Sequence, residues 1–382
     1  MNNFVFQNPV RIIFGKGVIA DLPAHIPAGS KILMTCGGGS IRANGVYDQV
    51  KKALSGFQVL EFWGIEPNPH YETCMKAVEI CRREKITFLL SVGGGSVLDA
   101  TKFISLAAFY TTGDPWDLCS KGATVSQTIP LGSVITLPAT GSEMNFNAVI
   151  SRDSTHEKLA LADPKAYPVF SIMDPEVTFS LPERQTINGI VDAFVHVCEQ
   201  YMTYPVNSPL QDRQAEAVFH TLVEEGPKVL KNPRDYNARA NIMWAATHAL
   251  NFIMACGVPQ DWSTHMIGHE ITALHGLDHA QTLACVLLGV FKHQKIKKEA
   301  KLSQYGQRIW GITPGPGAVD KAIDQTEAFF RSLGMKTRLK EYGVGTENFE
   351  KIASRIQSRG MKLGEHANIG KNEIIEILNL SL

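Results

Sequence analysis

The sequence predicts an α/β domain with a mostly parallel sheet, followed by an all-helical domain. The chain has 382 residues, which is long for a single core, so two domains are expected. Its first half alternates short apolar runs with stretches of helical periodicity, and this pattern is typical of a parallel sheet covered by helices. Strand-like runs become rare after Leu181-Pro182. We therefore predict domains at residues 1–184 and 185–382.

The strands of the first domain are predicted from apolar runs bounded by turn residues. A helix is predicted over residues 71–85, where Cys74, Ala77, Val78 and Cys81 form one apolar stripe. A second helix is predicted to follow the glycine run that ends at Ser96. The predicted strands cover residues 31–36, 57–63, 88–92, 133–140 and 168–175.

The second domain is predicted from apolar residues at a spacing of three and four positions, which is typical of helices that bury one face. The predicted helices cover residues 185–202, 213–230, 240–255, 321–334 and 371–382.

Composition excludes several classes of protein. Lys+Arg and Asp+Glu both number 37, so bulk charge favours neither nucleic acid nor an anionic membrane surface as a partner. No apolar run has the length of a membrane span, and the N-terminus lacks the pattern of a signal peptide. The seven cysteines form no C-x-x-C pair. Reduced thiols in a cytoplasmic protein are the simplest interpretation.

The glycine run at residues 93–96 (GGGS) lies between a predicted buried strand and a predicted helix. Backbone N–H groups and the positive end of the helix dipole at such a junction suit a pyrophosphate. The run departs from the G-x-G-x-x-G fingerprint because Leu98 stands at the third glycine position. A plain tight turn is the alternative, but the strand before and the helix after favour phosphate binding.

A second run, at residues 37–40 (GGGS), bears on cofactor choice. An acidic residue at the end of such a strand binds the ribose 2′-OH of NAD and repels a 2′-phosphate. Here no acidic residue occurs before Asp48, whereas Ser40 offers a hydroxyl and Arg42 a positive charge. If a nicotinamide cofactor binds, the sequence favours NADP(H) over NAD(H). A plain turn is again the alternative.

Four of the 12 histidines fall within residues 261–281. His265 and His269 are one helical turn apart and face the same way. The segment is not the H-E-x-x-H of zinc proteases, because Ala273 stands at the position of the second histidine. His275 and His279 repeat the spacing of four, with Gly276 between them.

A carboxylate partner lies upstream, where Asp192 and His196 share one face of an otherwise apolar helix. Such residues are poor candidates for a buried face unless they are paired or bind a metal. Together with two of the later histidines they would form a four-ligand site for a divalent cation, either zinc or iron. A hydrogen-bonded pair and ordinary core histidines are the alternative. Two such clusters in one domain favour the metal.

These segments resemble one known family. The chain is similar over essentially its full length to the iron-activated (group III) alcohol dehydrogenases. It is most like bacterial NADPH-dependent aldehyde reductases of the butanol dehydrogenase-like type. The resemblance rests on NPVRIIFGKG, VGGGSVLDATK, LPATGSEMN, IVDAFVHVCEQY and GVPQDWSTHMIGHEITALHGLDHAQTLA, in that order.

The resemblance implies a dinucleotide-binding α/β domain and a helical, metal-binding catalytic domain, a fold shared with dehydroquinate synthase, with the active site between the domains. It implies metal ligation by Asp192, His196, His265 and His279, with His269 assisting proton relay; His275 has no implied role. Where many members have P-H-G-x-x-N-A around the last ligand, this chain has Asp278-His279-Ala280-Gln281-Thr282.

The resemblance also implies the residues around NADP(H). Gly38 stands where NAD-preferring members carry an aspartate. Asp99, on the helix behind the pyrophosphate loop, is implied as a catalytic residue alongside His269. The full set implied for the cofactor is Gly37, Gly38, Ser40, Gly94, Gly95, Ser96, Asp99, Thr136, Thr140, Asn145, Lys158 and Phe179.

The implied activity is hydride transfer between NADP(H) and small aldehydes or primary alcohols, with Fe²⁺ or Zn²⁺ polarising the carbonyl oxygen. Family members are usually homodimers, which implies the same state here. Three alternatives remain at this stage: an NAD-dependent, glycerol-type polyol dehydrogenase, a non-redox lyase like dehydroquinate synthase, and a non-enzymatic scaffold.

Overall fold

The computed structural model describes residues 1–382, which divide into two compact units. One unit comprises Gln7–Pro182 and Pro233–Thr247, and the other comprises Met1–Phe6, Glu183–Asn232 and His248–Leu382. The change at Pro182 and Glu183 lies close to the boundary expected near Arg184. Two short segments depart from the expected division, since Met1–Phe6 groups with the helical unit and Pro233–Thr247 with the α/β unit.

Side-chain and backbone contacts explain both departures. Asn2 N donates to Gly257 O over 2.9 Å, which ties the N-terminal segment to the helical unit. In the α/β unit, the rings of Phe14 and Trp244 meet edge to face at 6.0 Å. The hydroxyl of Thr247 donates to Glu143 over 2.5 Å. Contacts between residues this far apart in sequence leave no periodic signal in the sequence.

The strands are β1 Arg11–Phe14, β2 Lys31–Cys36, β3 Gln58–Phe62, β4 Phe88–Gly93, β5 Leu131–Ile135, β6 Asn147–Arg152, β7 Glu157–Ala162 and β8 Phe170–Met173. Six of them form one sheet in the order β1-β8-β5-β4-β2-β3, with every neighbouring pair parallel. The predicted mostly parallel sheet is therefore confirmed.

Strands β2 and β4 are neighbours, with Cys36 opposite Val92 at their carboxyl ends. Gly93 pairs in turn with Ile135 on β5. The two glycine runs and the segment after β5 therefore begin at the same edge of the sheet, side by side. In open α/β sheets this edge is where ligands bind.

The helices are α1 Ser40–Ala43, α2 Val46–Ala53, α3 Tyr71–Glu84, α4 Gly95–Ala107, α5 Asp117–Ser120, α6 Glu183–Tyr201, α7 Pro209–Lys231, α8 Tyr236–Ala249, α9 Ser263–His275, α10 His279–Gln294, α11 Glu299–Trp310, α12 Ala318–Ser332, α13 Phe349–Ser358 and α14 Lys371–Leu380. Short 3₁₀ segments cover Val18–Ala24, Ser142–Met144, Asp153–Thr155, Pro164–Ala166, Pro175–Ser180 and Leu339–Tyr342.

Alternating strand residues form the two faces of the sheet. Leu33 and Leu89 pack with Phe103 of α4 on one face, and Ile32 and Leu90 belong to the core on the other. The predicted stripe of α3, Cys74, Ala77, Val78 and Cys81, is the buried face of that helix. Both faces are covered, which explains why these strands are continuous apolar runs rather than alternating ones.

Strands β6 and β7 form a separate antiparallel hairpin that the sequence prediction missed. Its turn runs through Asp153–Thr155 to His156, whose φ of 51° is left-handed. The turn is polar, but β7 exposes Ala160 and Ala162 and buries the charged Lys158. Its residues therefore do not alternate between apolar buried and polar exposed positions, and the period of a half-buried strand is absent from the sequence.

In the helical unit, α6 is buried on almost every side from Ile190 to Tyr201. Helix α8 ends at Ala249, whereas the sequence predicted that it would continue to residue 255. Phe252, just beyond the end of α8, has a left-handed φ of 69°.

No helix combines the length and the apolar character that a membrane crossing requires. All seven cysteines are free thiols.

Candidate metal centre and cofactor loops

Helix α6 presents a carboxylate and an imidazole inside the helical unit. Asp192 and His196 are one turn apart, and each is only 4% exposed. Their helix neighbours Val191, Ala193 and Val195 are fully buried. Polar groups in such surroundings require partners, since burying a carboxylate without one is costly.

The first residues of two other helices, α9 and α10, bring histidines close to Asp192 and His196. Helix α9 begins at Ser263, so His265 lies in its first turn. It ends at His275, where Gly276 takes a left-handed φ of 69°. The chain then reverses, and α10 begins at His279. This explains why Gly276 interrupts the histidine-rich segment.

Asp278 and Gln281, which depart from the family pattern around the last predicted ligand, determine where α10 begins. Asp278 precedes α10, and its backbone N–H donates to the side chain of Gln281 over 3.1 Å. The Asp278 carboxylate accepts a 2.8 Å hydrogen bond from Asn188 of α6. These contacts hold the start of α10 against α6, and so hold His279 near Asp192.

Asp192 Oδ1 is the centre of the cluster. It lies 3.6 Å from His196 Nδ1, 3.7 Å from His265 Nε2 and 3.9 Å from His279 Nε2. His196 Nδ1 and His265 Nε2 are buried and make no hydrogen bond. Buried nitrogens without a hydrogen bond are rare in proteins unless they face a ligand or an ion.

The cluster fits a divalent cation. Ligand atoms of Asp192, His265 and His279 all lie within 4.8 Å of one another. His196 lies outside that trio, but its ring stacks on His265 with centroids 4.6 Å apart. Oxygen and imidazole donors without a thiolate suit zinc or iron. The structure therefore brings the four residues predicted as ligands into one cluster.

The remaining two histidines occupy different positions. The ring of His269 lies 5.0 Å from that of His279 and 6.2 Å from that of His265, at the margin of the cluster. His275 Nε2 lies 3.4 Å from the side-chain amide of Asn348. His275 thus has a partner on another part of the fold, in keeping with a structural role.

The two buried imidazoles of the cluster differ in basicity. Burial lowers the pKa of His196 to about 4. Burial alone would also lower the pKa of His265, but the negative charges of Glu199 and Asp192 raise it to about 9. A neutral imidazole is the form that binds a metal, so His196 is prepared for ligation and His265 must lose a proton.

Glu199 is a further residue of the cluster that the sequence prediction did not include. It is 3% exposed and binds His265 Nδ1 through one carboxylate oxygen. A signal was available: Asp192, His196 and Glu199 are spaced by four and then three residues, which places all three on one face of a helix.

The residues predicted for the pyrophosphate lie where β4 passes into α4. Gly94 is extended, and α4 begins at Gly95. A Cβ atom at Gly95 would lie 2.5 Å from Thr140 Oγ1, so only glycine fits there. Thr136 N donates to Gly93 O over 3.0 Å. Gly94, Gly95, Ser96, Thr136 and Thr140 are therefore brought together.

Asp99 and Asn145 belong to a buried network behind this loop. Asp99 accepts from Ser142 Oγ over 2.7 Å and from Val149 N over 2.9 Å. Lys102 Nζ donates to Ser142 Oγ over 2.7 Å and to Asn145 Oδ1 over 3.0 Å. Burial raises the pKa of Asp99 and lowers that of Lys102 to about 7. Asp99 thus belongs to a buried hydrogen-bonded network, and its catalytic role stays a prediction.

The other residues predicted for the cofactor are more scattered. Gly38 and Ser40 are exposed after β2, and Gly37 is half-buried. Lys158, on the missed hairpin, is buried and donates to Asn68 over 2.8 Å. The ring of Phe179 lies 5.4 Å from the guanidinium of Arg234. Gly37 nevertheless lies close to the start of α4, since a Cβ atom there would be 3.5 Å from Val97 Cγ2.

Comparison with known proteins agrees with this architecture. Residues 9–175 match the model of the iron-containing alcohol dehydrogenase family, and residues 186–382 match the C-terminal model of the Fe-containing alcohol dehydrogenase family. The chain is 53% identical to the NADPH-dependent aldehyde reductase YqhD of Escherichia coli, over 97% of each chain. It is 44% identical to NADP-dependent alcohol dehydrogenase 3 of Entamoeba histolytica, over 99% of each chain.

Solved structures agree equally well. The crystal structure of E. coli YqhD superimposes with a TM-score of 0.99 at 51% identity, covering 100% of this chain and 99% of that one. NADH-dependent butanol dehydrogenase A of Thermotoga maritima gives a TM-score of 0.96 at 35% identity, with coverage of 100% and 99%. The fold and these matches define a class, the oxidoreductases that interconvert alcohols and aldehydes. Within that class, the chain belongs to the iron-containing alcohol dehydrogenase family.

Proposed function

We propose that this enzyme reduces small aldehydes to primary alcohols with NADPH. We further propose that Asp192, His196, His265 and His279 hold one Fe²⁺ or Zn²⁺ ion. The observation that carries the proposal is the position of Asp192 Oδ1, within 3.9 Å of a nitrogen of each of the three histidines. The bound metal would supply a Lewis acid for the carbonyl oxygen.

The chain's own residues have separate tasks in this scheme. Asp192 lowers the positive charge of the centre, and the three imidazoles supply neutral donors. His269, one turn beyond His265 and beside His279, is placed to give or relay the proton that the product alkoxide requires.

Preference for NADP(H) is supported by the loop after β2. Gly38 is exposed, and a side chain there would meet no atom within 4 Å, so the loop leaves room for a 2′-phosphate. Arg42, whose guanidinium lies 3.9 Å above the ring of Trp63, supplies a positive charge nearby in sequence. The E. coli and Entamoeba relatives are named for NADPH and NADP. The Thermotoga structure is named for NADH, so the family alone does not decide the cofactor.

Small, uncharged aldehydes are supported by the surroundings of the cluster. Trp262 is half-buried, and its ring meets that of His265 edge to face at 5.4 Å. Its indole N–H is already engaged, since it donates to Gln260 over 2.8 Å. Trp262 therefore presents an apolar ring near His265 and supplies no cation for an anionic group, so a short aliphatic aldehyde such as butanal suits the site.

A homodimer is proposed from the edge of the sheet. Strand β1 is an outer strand, so one side of its backbone lacks a strand partner. Phe14 is 39% exposed and Val169 is 45% exposed. Open strand edges with apolar residues are suited to pairing with another chain. Sedimentation equilibrium tests this proposal, and a monomer at all concentrations would refute it.

The activity is tested by steady-state reduction of butanal with NADPH and with NADH, before and after treatment with a chelator. We expect turnover with NADPH, loss of turnover in chelator, and recovery on adding Fe²⁺ or Zn²⁺. Turnover unaffected by complete metal removal would refute the metal-dependent mechanism. A preference for NADH would refute only the assignment of the cofactor.

A further inference from the structure

Glu199 has an unusual set of partners for a carboxylate buried in a helical unit. Its Oε1 accepts from the backbone N–H groups of Thr264, over 2.6 Å, and of His265, over 3.2 Å. Its Oε2 binds Nδ1 of the His265 ring. All three partners are donors, so a group that accepts through both oxygens is required here.

We propose that Glu199 is the positioning residue that fixes His265 as a metal ligand. This inference rests on the proposed function. A carboxylate can only accept, so Nδ1 must carry the proton that it shares with Glu199. Nε2 then presents its lone pair toward Asp192 Oδ1, 3.7 Å away. Partners of this kind orient ligating histidines and fix their tautomer in metal proteins.

The backbone around Glu199 supports the same geometry. Asp261 N donates to Glu199 O over 2.8 Å. The Asp261 carboxylate accepts from Ser263 N over 2.9 Å and from Ser263 Oγ over 2.6 Å, at the start of α9. The turn that carries His265 is thus held to α6 through the main chain as well as through the Glu199 side chain.

A purely structural role would explain only part of this arrangement. Accepting from two backbone N–H groups at the start of α9 caps that helix, and Oε1 alone does so. The bond from the ring of His265 to Oε2 adds nothing to the cap. It does fix the rotation of the imidazole, and this rotation decides whether Nε2 faces Asp192.

The test is the metal affinity of Glu199→Gln. Glutamine has the same shape but only one accepting oxygen. If that oxygen keeps the backbone bonds, the amide NH₂ faces Nδ1 and can only donate to it, which moves the ring proton to Nε2 and removes the lone pair that would bind the metal. We expect metal affinity, measured with Zn²⁺ by competition with a chromogenic chelator, to fall about 10- to 100-fold. We also expect the visible absorption bands of the Co²⁺-loaded protein to shift, and NADPH affinity to stay within twofold.

Glu216→Gln is the matched control. Glu216 is 4% exposed in the same unit, but its partners are Tyr201, Arg213 and Arg308, away from the cluster. We expect its Zn²⁺ affinity and Co²⁺ spectrum to equal those of the wild type, even if its thermal stability falls. If Glu199→Gln does not fold, Glu199→Asp is measured instead. Its shorter side chain should move the carboxylate away from His265 and lower the Zn²⁺ affinity about 10-fold.

The outcomes separate the inference from the proposed function. A wild-type protein that binds one Zn²⁺, with Glu199→Gln or Glu199→Asp binding it equally well, would overturn the role of Glu199 alone. A wild-type protein that binds no metal would overturn the proposed metal centre, and this inference with it. Weakened binding in the Glu199 variants, with normal binding in Glu216→Gln, would establish the positioning role.

Discussion

The ammonium group of Lys298 lies 2.9 Å from the carboxylate of Asp261, and both side chains are almost fully buried, at 2% and 4% exposure. Glu365 approaches the same ammonium to 2.6 Å, and the carbonyl of Met202 accepts from it over 2.5 Å. Three partners therefore compensate one buried charge. Since Asp261 also accepts hydrogen bonds from Ser263, the first residue of α9, this pair connects the stability of the helical unit to the turn that carries His265.

Replacing Lys298 by methionine should strongly destabilise the helical unit. The variant leaves Asp261 and Glu365 close together without a cation, and removing one partner of a buried pair costs about 3 to 5 kcal/mol. Denaturant unfolding measures the loss. Lys295→Met is the control, because Lys295 pairs with Asp320 at the surface and should contribute less than about 1 kcal/mol. Equal losses in the two variants would contradict this account of the buried pair.

Gly38→Asp should turn cofactor preference toward NADH. A carboxylate in the loop after β2 would repel the 2′-phosphate of NADPH and could accept from the ribose 2′-OH of NADH. We expect kcat/KM for NADPH to fall by about 10-fold or more, since repulsion of about 1.4 kcal/mol suffices for that change. Gly56→Asp is the control: Gly56 is also exposed, and a side chain there meets no atom within 4 Å. An unchanged preference in Gly38→Asp would refute the assignment of this loop.

Gly95→Ala should weaken cofactor binding without unfolding the protein. Its methyl group would lie 2.5 Å from Thr140 Oγ1 and 2.7 Å from Thr140 Cγ2, so the loop and the Thr140 segment must separate. We expect the KM for NADPH to rise about 10-fold or more, because a 1 Å displacement can cost that much or more. Thr140→Gly in the Gly95→Ala background should recover part of the loss. Normal cofactor kinetics in Gly95→Ala would show that this junction does not hold the pyrophosphate.

Lys102 should make stability depend on pH. Burial lowers its pKa from the ordinary 10.5 to about 7, so between these values the unfolded chain holds a proton that the folded protein has released. Stability contributed by this residue therefore rises with pH across that window, by at most about 1.4 kcal/mol per unit. We expect the stability difference between wild type and Lys102→Met to change in this direction when unfolding is measured from pH 7 to 10. A difference that is constant with pH would contradict the lowered pKa.

Much of this architecture could be predicted from local sequence patterns. Apolar runs bounded by glycine predict the strand before each glycine run. A spacing of three to four residues predicts the apolar stripe of α3 and places Asp192 and His196 on one face of α6. The sheet and the family were confirmed. The grouping of the metal residues was expected because a carboxylate and imidazoles on apolar helices need partners.

The rest depends on contacts between distant segments. Helical spacing places Glu199 on the same face of α6 as Asp192 and His196, but it does not indicate that Glu199 binds a ring 66 positions away. The place of Asp99 in a network with Lys102 and Ser142 is equally invisible in sequence. The hairpin of β6 and β7 was missed because β7 exposes two alanines and buries Lys158, so it lacks the usual alternation of apolar and polar residues. Each of these features depends on contacts between segments that are distant in the sequence.

The most direct test of the central claim is the metal content and activity of Asp192→Asn. Each protein would be stripped with chelator, reloaded with Zn²⁺ or Fe²⁺ and assayed with butanal and NADPH. Asparagine keeps the shape of the side chain but removes the negative charge at the centre of the three histidines. We expect one metal per wild-type chain with turnover, and less than about a tenth of that metal and activity in the variant, since a neutral amide oxygen binds a divalent cation much more weakly than a carboxylate does. An Asp192→Asn protein that keeps full metal occupancy and full turnover would contradict the proposed centre.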